Sequence, residues 1–205
     1  MITIVDYNTG NLGSIKNMLS YLGIESKITN KKEEIERAEK LILPGVGHFD
    51  YGMQQLQEIN LISTLNKKVL EEKIPILGIC LGVQLFMQLS EEGIENGLGW
   101  IKGETVMFDK SKLTSYQKLP NMGWAGVSYC KQSTLFNNMP VETRFYFAHS
   151  YHLELENKND CVLTSNYGYE FDAAIEHENI FGVQFHPEKS HKYGMKLLEN
   201  FAKLI

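Results

Sequence analysis

The chain has 205 residues, 43% of them hydrophobic, and a formal net charge of −5 at pH 7 from 20 Lys plus Arg against 25 Asp plus Glu. That length suits one domain, residues 1–205, around one sizeable core, and the acidic balance argues against nucleic acid or an anionic membrane as the main partner. Three cysteines, Cys80, Cys130 and Cys161, are too few and too odd in number for a disulfide framework, which points to a reducing, cytoplasmic location. The start, Met1-Ile2-Thr3-Ile4-Val5-Asp6, has no basic n-region and reaches an acid too early for a signal peptide. The run from Ile74 to Phe86 is too short and too glycine-rich to span a bilayer.

The first half alternates strand and helix. Ile2 to Asp6 reads as a short apolar strand, and Leu12, Ile15, Leu19 and Leu22 mark one face of a helix that Gly23 closes. Asn30 with Glu33 three residues on resembles a capping box for a short helix around Ile35, and the charged stretch Lys31 to Lys40 reads as a solvated helix face. Leu41-Ile42-Leu43 is a second buried strand, stopped by Pro44-Gly45-Val46-Gly47. A helix pattern runs through Leu61, Leu65, Val69 and Leu70, and Ile76 to Ile79 is the third buried strand, followed by a helix-period segment from Leu81 to Leu89. Short apolar strands between helices imply a parallel sheet covered on both faces.

After Leu98 the texture changes to short strands punctuated by turns: Thr105 to Phe108, Gly126 to Tyr129, Arg144 to Phe147, Cys161 to Ser165, Ala173 to His177 and Ile180 to Gln184. These read as antiparallel hairpins extending the sheet. Asp109 to Lys118 reads as a surface loop, and Met195, Leu198, Phe201 and Ala202 mark a last helix. The expected fold is therefore α/β: an open, mostly parallel sheet flanked by helices, with an antiparallel extension in the C-terminal half.

Cys80 carries the strongest chemical signal. It stands in Gly78-Ile79-Cys80-Leu81-Gly82, where an apolar strand meets a helix, and this reads as a nucleophile elbow that exposes one side chain at a sharp turn. Backbone N–H groups and a helix dipole at such a turn favour a thiolate and then a developing oxyanion. A buried cysteine without such a setting packs as a small hydrophobe. Cys130 and Cys161 lack one and read as core residues.

A thiol nucleophile needs a base. Of six histidines, His186 has the most telling context, Phe185-His186-Pro187-Glu188. Pro187 holds His186 out of the α region, and residues two apart in an extended chain face the same side, so Glu188 reaches the imidazole. A carboxylate on one ring nitrogen fixes the tautomer and leaves the other to take the thiol proton. On its own, His-Pro-Glu is merely a turn; beside the elbow it completes a Cys, His, Glu triad. The elbow supplies the Leu81 N–H to an oxyanion, and the loop Gly45-Val46-Gly47 is placed to supply a second donor, its glycines permitting a peptide flip.

Other readings of these residue types are weaker. No Cys-x-x-Cys occurs, and the close pair His149-Ser150-Tyr151-His152 has a spacing that suits an exposed strand edge better than zinc, so no metal is expected. Asn8-Thr9-Gly10-Asn11-Leu12-Gly13 follows a strand and opens a helix but lacks the first glycine of a dinucleotide fingerprint; it reads as a backbone turn, and no cofactor is expected.

Together these segments resemble the class I glutamine amidotransferases, over nearly the whole chain. The residues that carry the resemblance are Asp6-Tyr7-Asn8-Thr9-Gly10-Asn11-Leu12, Leu43-Pro44-Gly45-Val46-Gly47, Gly78 to Gln84, Pro120-Asn121-Met122-Gly123-Trp124, Phe147-Ala148-His149-Ser150-Tyr151 and Gln184 to Ser190. Within that family, Pro-Gly-Val-Gly, Met-Gly-Trp and His-Ser-Tyr are most similar to the glutaminase subunits of imidazole glycerol phosphate synthase. The resemblance implies that Cys80, His186 and Glu188 hydrolyse glutamine through a cysteinyl thioester, with Val46, Gly47 and Leu81 serving the oxyanion. It implies that Gly45, Gly47, Gln84, Ser150 and Tyr151 position glutamine, the last two chiefly through backbone. It also implies a heterodimer with a (β/α)₈-barrel synthase subunit, which Asn11, Asn121, Trp124 and Lys189 would face and to which ammonia passes.

One departure stands out. The histidine-pathway pattern usually reads Pro-His-Met-Gly-Trp-Asn, and here it is Pro120-Asn121-Met122-Gly123-Trp124-Ala125. Paralogous subunits that supply ammonia for surface-polysaccharide sugar amidation are the alternative reading, and a stand-alone cysteine hydrolase of the same fold is a second.

Overall fold

Four apolar runs, Ile2–Val5 (β1), Leu41–Gly45 (β3), Ile76–Cys80 (β4) and Ile180–Val183 (β12), are buried at every position in the computed structural model, which describes residues 1–205. Strands read this way because both of their faces are covered. They lie parallel in the order β1, β3, β4, β12, with Ser26–Thr29 (β2) parallel to β1 at the outer edge. Along β4 the side chains alternate: Leu77 and Ile79 join Ile15 and Leu19 of Leu12–Tyr21 (α1) and Leu197, Leu198 and Phe201 of His191–Leu204 (α6). Ile76 joins the opposite layer, with Ile35 of Lys32–Glu36 (α2), Met53 and Leu56 of Phe49–Glu58 (α3) and Leu65 of Ile62–Asn66 (α4).

The C-terminal half extends the sheet with antiparallel strands, as its turn spacing predicts. Tyr169–His177 (β11) pairs with β12, followed by Cys161–Tyr167 (β10), Asn121–Tyr129 (β7) and Arg144–His149 (β8). A branch leaves β11 through Tyr151–Leu155 (β9) to Gly103–Met107 (β6) and the two-residue Leu89–Ser90 (β5). No helix is long and apolar enough to cross a membrane.

Several local expectations change. The capping box is absent: the residue before α2 is Lys31, with extended backbone and no side-chain cap, and its N–H donates to Thr29 Oγ1 at 3.1 Å. The charged stretch after it is not wholly solvated, because Ile35 and Ala38 are buried and Lys40 donates to the carbonyls of Phe201 and Ala202 at the end of α6. The helix through Leu61 and Leu70 breaks after Asn66 into a π turn, Lys67–Glu71, which leaves Leu70 exposed. The helix expected from Leu81 to Leu89 is only Leu81–Gln84 (α5). Its continuation is diverted because the carbonyls of Leu85, Phe86, Met87 and Gln88 accept N–H groups from Leu98, Ile101, Gly99 and Gly97. Cys161 is buried but Cys130 is exposed, so only one of the two is a core residue.

Candidate active site

Cys80 ends β4 at φ 53° and ψ −111°, a positive-φ conformation that a non-glycine residue adopts only when its surroundings impose it. The surroundings are two close approaches. A Cβ on Gly82 would come within 1.8 Å of the Leu43 carbonyl oxygen, and one on Gly78 within 2.6 Å of the Phe86 ring. The strand-to-helix crossing therefore tolerates no side chain on either side of the nucleophile. With only four residues, α5 contributes individual N–H groups at the elbow rather than a macrodipole of any size.

The neighbouring strands bring the remaining groups. Gly45 of β3 stands in register with Cys80, and Val183 of β12 stands opposite Ile79, so the residues following each strand converge on the thiol. His186 Nδ1 lies 2.9 Å from Glu188 Oε1, with both side chains 2% exposed. The pair forms through a short 3₁₀ turn, Pro187–Lys189, where the sequence suggests a plain extended segment. Ser190 fixes it further: its Oγ donates to the His186 carbonyl at 2.6 Å and accepts from Tyr146 N–H at 2.9 Å. Burial alone would push the His186 imidazole down. The charge and hydrogen bond of Cys80, with those of Glu188, outweigh it and raise the imidazole to about 10. The site thus favours a protonated His186 imidazolium between Cys80 and Glu188.

Cys80 and His186 open into a cleft of about 350 Å³, lined also by Val46, Gly47, Leu81, Gln84, Ser150, Tyr151 and Lys189. Gly47 has φ 107°, with no heavy atom near a would-be Cβ, so that peptide is sterically free on the cleft side. Gly45 is not part of the lining. It is buried, and a Cβ there would sit 2.3 Å from the Tyr7 hydroxyl, so the position admits no side chain. Gln84 is buried, its Nε2 donating to the Tyr151 carbonyl and to Gln184 Oε1, both at 3.1 Å. The Ser150 carbonyl accepts from Phe108 N–H, and the Tyr151 carbonyl also bonds His149 Nδ1 at 2.7 Å. These hydrogen bonds brace the cleft wall.

Two cleft residues, His149 and Glu92, and the buried Gln184 behind Cys80 carry no assigned role in the sequence reading. His149 was expected on an exposed edge with His152, yet the two are 5% and 6% exposed, and burial lowers His149 to about 3, leaving it neutral. Glu92 lines the cleft mouth, half-buried, its carboxyl raised by burial despite accepting Phe49 N–H at 2.9 Å. It lies in a polar loop without periodicity, and no sequence signal marks it. Gln184 is fully buried, with Nε2 3.8 Å from Cys80 Sγ. The i, i+2 spacing to His186 is the signal that finds it.

Of the residues expected at a partner face, Asn11, Trp124 and Lys189 are exposed. Asn121 is not: it is 5% exposed and its Nδ2 lies 3.2 Å from His149 Nε2. The alternation of β7 turns Asn121 inward and leaves Met122 and Trp124 outside.

Known proteins agree with this arrangement. The Glutamine amidotransferase class-I family profile matches residues 3–204. The imidazole glycerol phosphate synthase subunit HisH 2 of Methanococcus maripaludis is 53% identical over 99% of this chain and 99% of its own. The protein of the same name from Pseudomonas aeruginosa is 45% identical over the whole of both. Among solved structures, a glutamine amidotransferase superposes with a TM-score of 0.76 at 18% identity, covering 100% of this chain and 98% of that one, which speaks for the fold alone. The chain belongs to the class I glutamine amidotransferase family.

Proposed function

We propose that this chain, as a single domain of residues 1–205, hydrolyses glutamine and passes the ammonia to a (β/α)₈-barrel synthase subunit. The product pair would be imidazole glycerol phosphate and AICAR, in histidine biosynthesis. The observation that carries the chemistry is the buried His186–Glu188 pair beside a cysteine held at positive φ. The Cys80 thiolate attacks the side-chain carbonyl carbon of glutamine, and the oxyanion forms against the Leu81 N–H and a donor from Val46 or Gly47. His186 gives its proton to the departing nitrogen, which leaves as ammonia, and a γ-glutamyl thioester remains on Cys80. His186, now neutral, takes a proton from water, and the hydroxide adds to the thioester. Collapse expels the thiolate and releases glutamate. Glu188 orients the imidazole throughout. Gln84 and the Ser150–Tyr151 wall shape the cleft around the substrate, and the Glu92 carboxylate suits its α-ammonium.

The partner reading is supported by the names of the relatives, which are synthase subunits. Asn11, Trp124 and Lys189 would form the docking face. The test is glutamine hydrolysis by the pure chain with and without the barrel: Cys80→Ala should abolish it while the complex still makes product from added ammonium. A glutamine-analogue electrophile should label Cys80 and spare Cys130 and Cys161; an adduct elsewhere would sink the assignment.

A second reading keeps the same chemistry and changes its destination to sugar amidation. One observation favours it: Asn121 and Ala125 depart from the usual histidine-pathway residues. Rescue of a histidine auxotroph by this chain with its own barrel decides between them.

A further inference from the structure

Gln184 sits at the junction of two hydrogen-bonded systems that the triad does not explain. Its side chain is fully buried, with Oε1 3.1 Å from Gln84 Nε2 and Nε2 3.8 Å from Cys80 Sγ. The orientation of both amides follows from one fixed acceptor. The Tyr151 carbonyl can only accept, so the Gln84 atom 3.1 Å from it must be the NH₂ group. That NH₂ can then meet only an oxygen on Gln184, which turns the Gln184 NH₂ toward the sulfur. The backbone supports the same direction. Gln184 and His186 follow β12 two residues apart and face one side, while Phe185 between them stacks on Phe145 at 3.7 Å on the other.

We propose that Gln184 is a positioning residue for the nucleophile: its side-chain N–H holds the Cys80 thiolate in place for attack, and through Gln84 it ties the sulfur to the cleft wall at Tyr151. The network continues from the Tyr151 carbonyl to His149 and on to Asn121, so a buried hydrogen-bonded line runs from the inner face of β7 to the reacting atom. An amide donor suits the position because it has no charge of its own to pair with His186 and cannot titrate near neutral pH. Its hydrogen bond strengthens when the sulfur is ionised, so it favours thiolate over thiol.

This inference rests on Cys80 as the nucleophile, and the experiment separates the two claims. The readout is the rate at which iodoacetamide alkylates Cys80 across pH, followed by mass spectrometry of the peptide that contains it; no glutaminase activity is needed. Gln184→Met keeps the length and removes the donor. Alkylation at neutral pH should fall roughly 10-fold or more, the size of one hydrogen bond to a charged group, and the rate–pH profile should move to higher pH. Gln184→Glu, which puts an acceptor oxygen against the sulfur, should move it further. In steady state kcat should fall about 10- to 100-fold with KM for glutamine changed little, because the bond serves the reacting sulfur and not substrate binding. Lowered activity with an unchanged alkylation profile would mean that Gln184 only packs, and would overturn the proposal. If neither variant folds by circular dichroism, the wild-type protein decides: the ¹⁵N side-chain amide signals of Gln184 should move as the Cys80–His186 pair titrates and stay fixed in Cys80→Ala. Signals that ignore the titration overturn the proposal. Failure of a glutamine-analogue electrophile to label wild-type Cys80 would bring down the glutaminase reading, while the alkylation profile still reports on Gln184.

Discussion

The Glu92 carboxylate accepts the Phe49 N–H at 2.9 Å, and this bond ties the loop after β5 to the first residue of α3. The tie is reciprocal: Asp50, one residue on, accepts the N–H groups of Ile94 at 3.0 and 3.1 Å and of Glu95 at 3.0 Å. Gly93 lies so close that a Cβ there would be 1.8 Å from Asp50 Oδ1. Since Val46 and Gly47 lead directly into α3, this clasp fixes the Val46–Gly47 segment and the Glu92 carboxylate relative to each other at the cleft mouth.

Glu92→Gln should therefore raise KM for glutamine roughly 10- to 100-fold, the worth of one charge-assisted bond to the α-ammonium, with a smaller change in kcat. Burial holds the Glu92 carboxyl above the usual carboxylate range, so it gains a proton at higher pH than an exposed glutamate. In the wild type, KM should rise as pH falls through that raised range, and the rise should vanish in Glu92→Gln. A KM that is flat with pH in both proteins refutes the assignment.

His186→Ala should cost about 10²- to 10⁴-fold in kcat, because the imidazole moves the proton itself. Glu188→Gln should cost less, since it removes only orientation and stabilising charge. The raised value of His186, about 10, has a defined sign in stability. Its contribution is fully present below the unfolded value of about 6.5 and is lost as pH rises through about 10. Cys80→Ala removes partners that hold it up, so the His186 ring should titrate at distinctly lower pH by NMR. An unchanged titration would mean that the thiolate is not its partner.

Much of this was legible because the informative signals are local. The run Ile76 to Gly82 contains both the buried strand and the glycines that the elbow needs, and Pro187 limits the backbone just where Glu188 must meet His186. What was illegible depends on partners far along the chain. β2 is Ser26-Lys27-Ile28-Thr29, polar except at Ile28, and becomes a strand by pairing with β1. β9 follows β8 after Ser150 alone and earns its place by pairing with β6 and β11. The shortness of α5 comes from backbone donors at residues 97–101. α3 has apolar residues at Phe49, Met53 and Leu56, but Gly52 obscures the pattern; that glycine is there because a Cβ would meet Leu81 and Leu85 at 3.2 Å. Asn121 looked like a docking residue from its motif, and only the alternation of β7 shows that it points inward.

His149 gives a second pH dependence, of opposite sign. Burial lowers it to about 3, with its backbone bond to Tyr151 opposing and the charges of His152 and His186 adding to the fall. A neutral buried imidazole contributes stability above the unfolded value of about 6.5, and the contribution is lost as pH falls toward 3, each unit of difference being worth about 1.4 kcal/mol. His149→Gln should be less stable at pH 8, where it forfeits the bonds to Asn121 and Tyr151. It should also lose less stability than the wild type between pH 8 and pH 5. Denaturant unfolding at the two pH values measures this, and equal losses in both proteins would exclude His149 as the source.

The partner face allows the sharpest test, because the structure separates two sets of residues that the sequence groups together. Asn121 is buried against His149, and Ala125 packs half-buried against the apolar layer beneath β7. Both side chains lie on the inner side of β7, opposite to Met122 and Trp124. Trp124 is 43% exposed, with its ring stacked on His191 at 5.6 Å and the Arg144 guanidinium 5.6 Å from its centroid. Met122 beside it is 63% exposed. A large aromatic held by its neighbours costs little entropy on docking, and such residues supply a disproportionate share of binding energy. Trp124→Ala should therefore weaken binding to the partner synthase subunit by roughly 30-fold or more, at least 2 kcal/mol, while glutamine hydrolysis by the isolated chain stays unchanged. Asn121→His with Ala125→Asn restores the usual histidine-pathway residues and should leave the affinity for the partner subunit within about 3-fold, because the changed side chains face inward. Its effect should appear instead in the isolated chain's glutaminase rate, through His149 and Tyr151. Titration calorimetry with the chain's own synthase partner measures both affinities. A double variant that alters partner affinity as much as Trp124→Ala would return these two positions to the docking face and make them the determinants of partner choice.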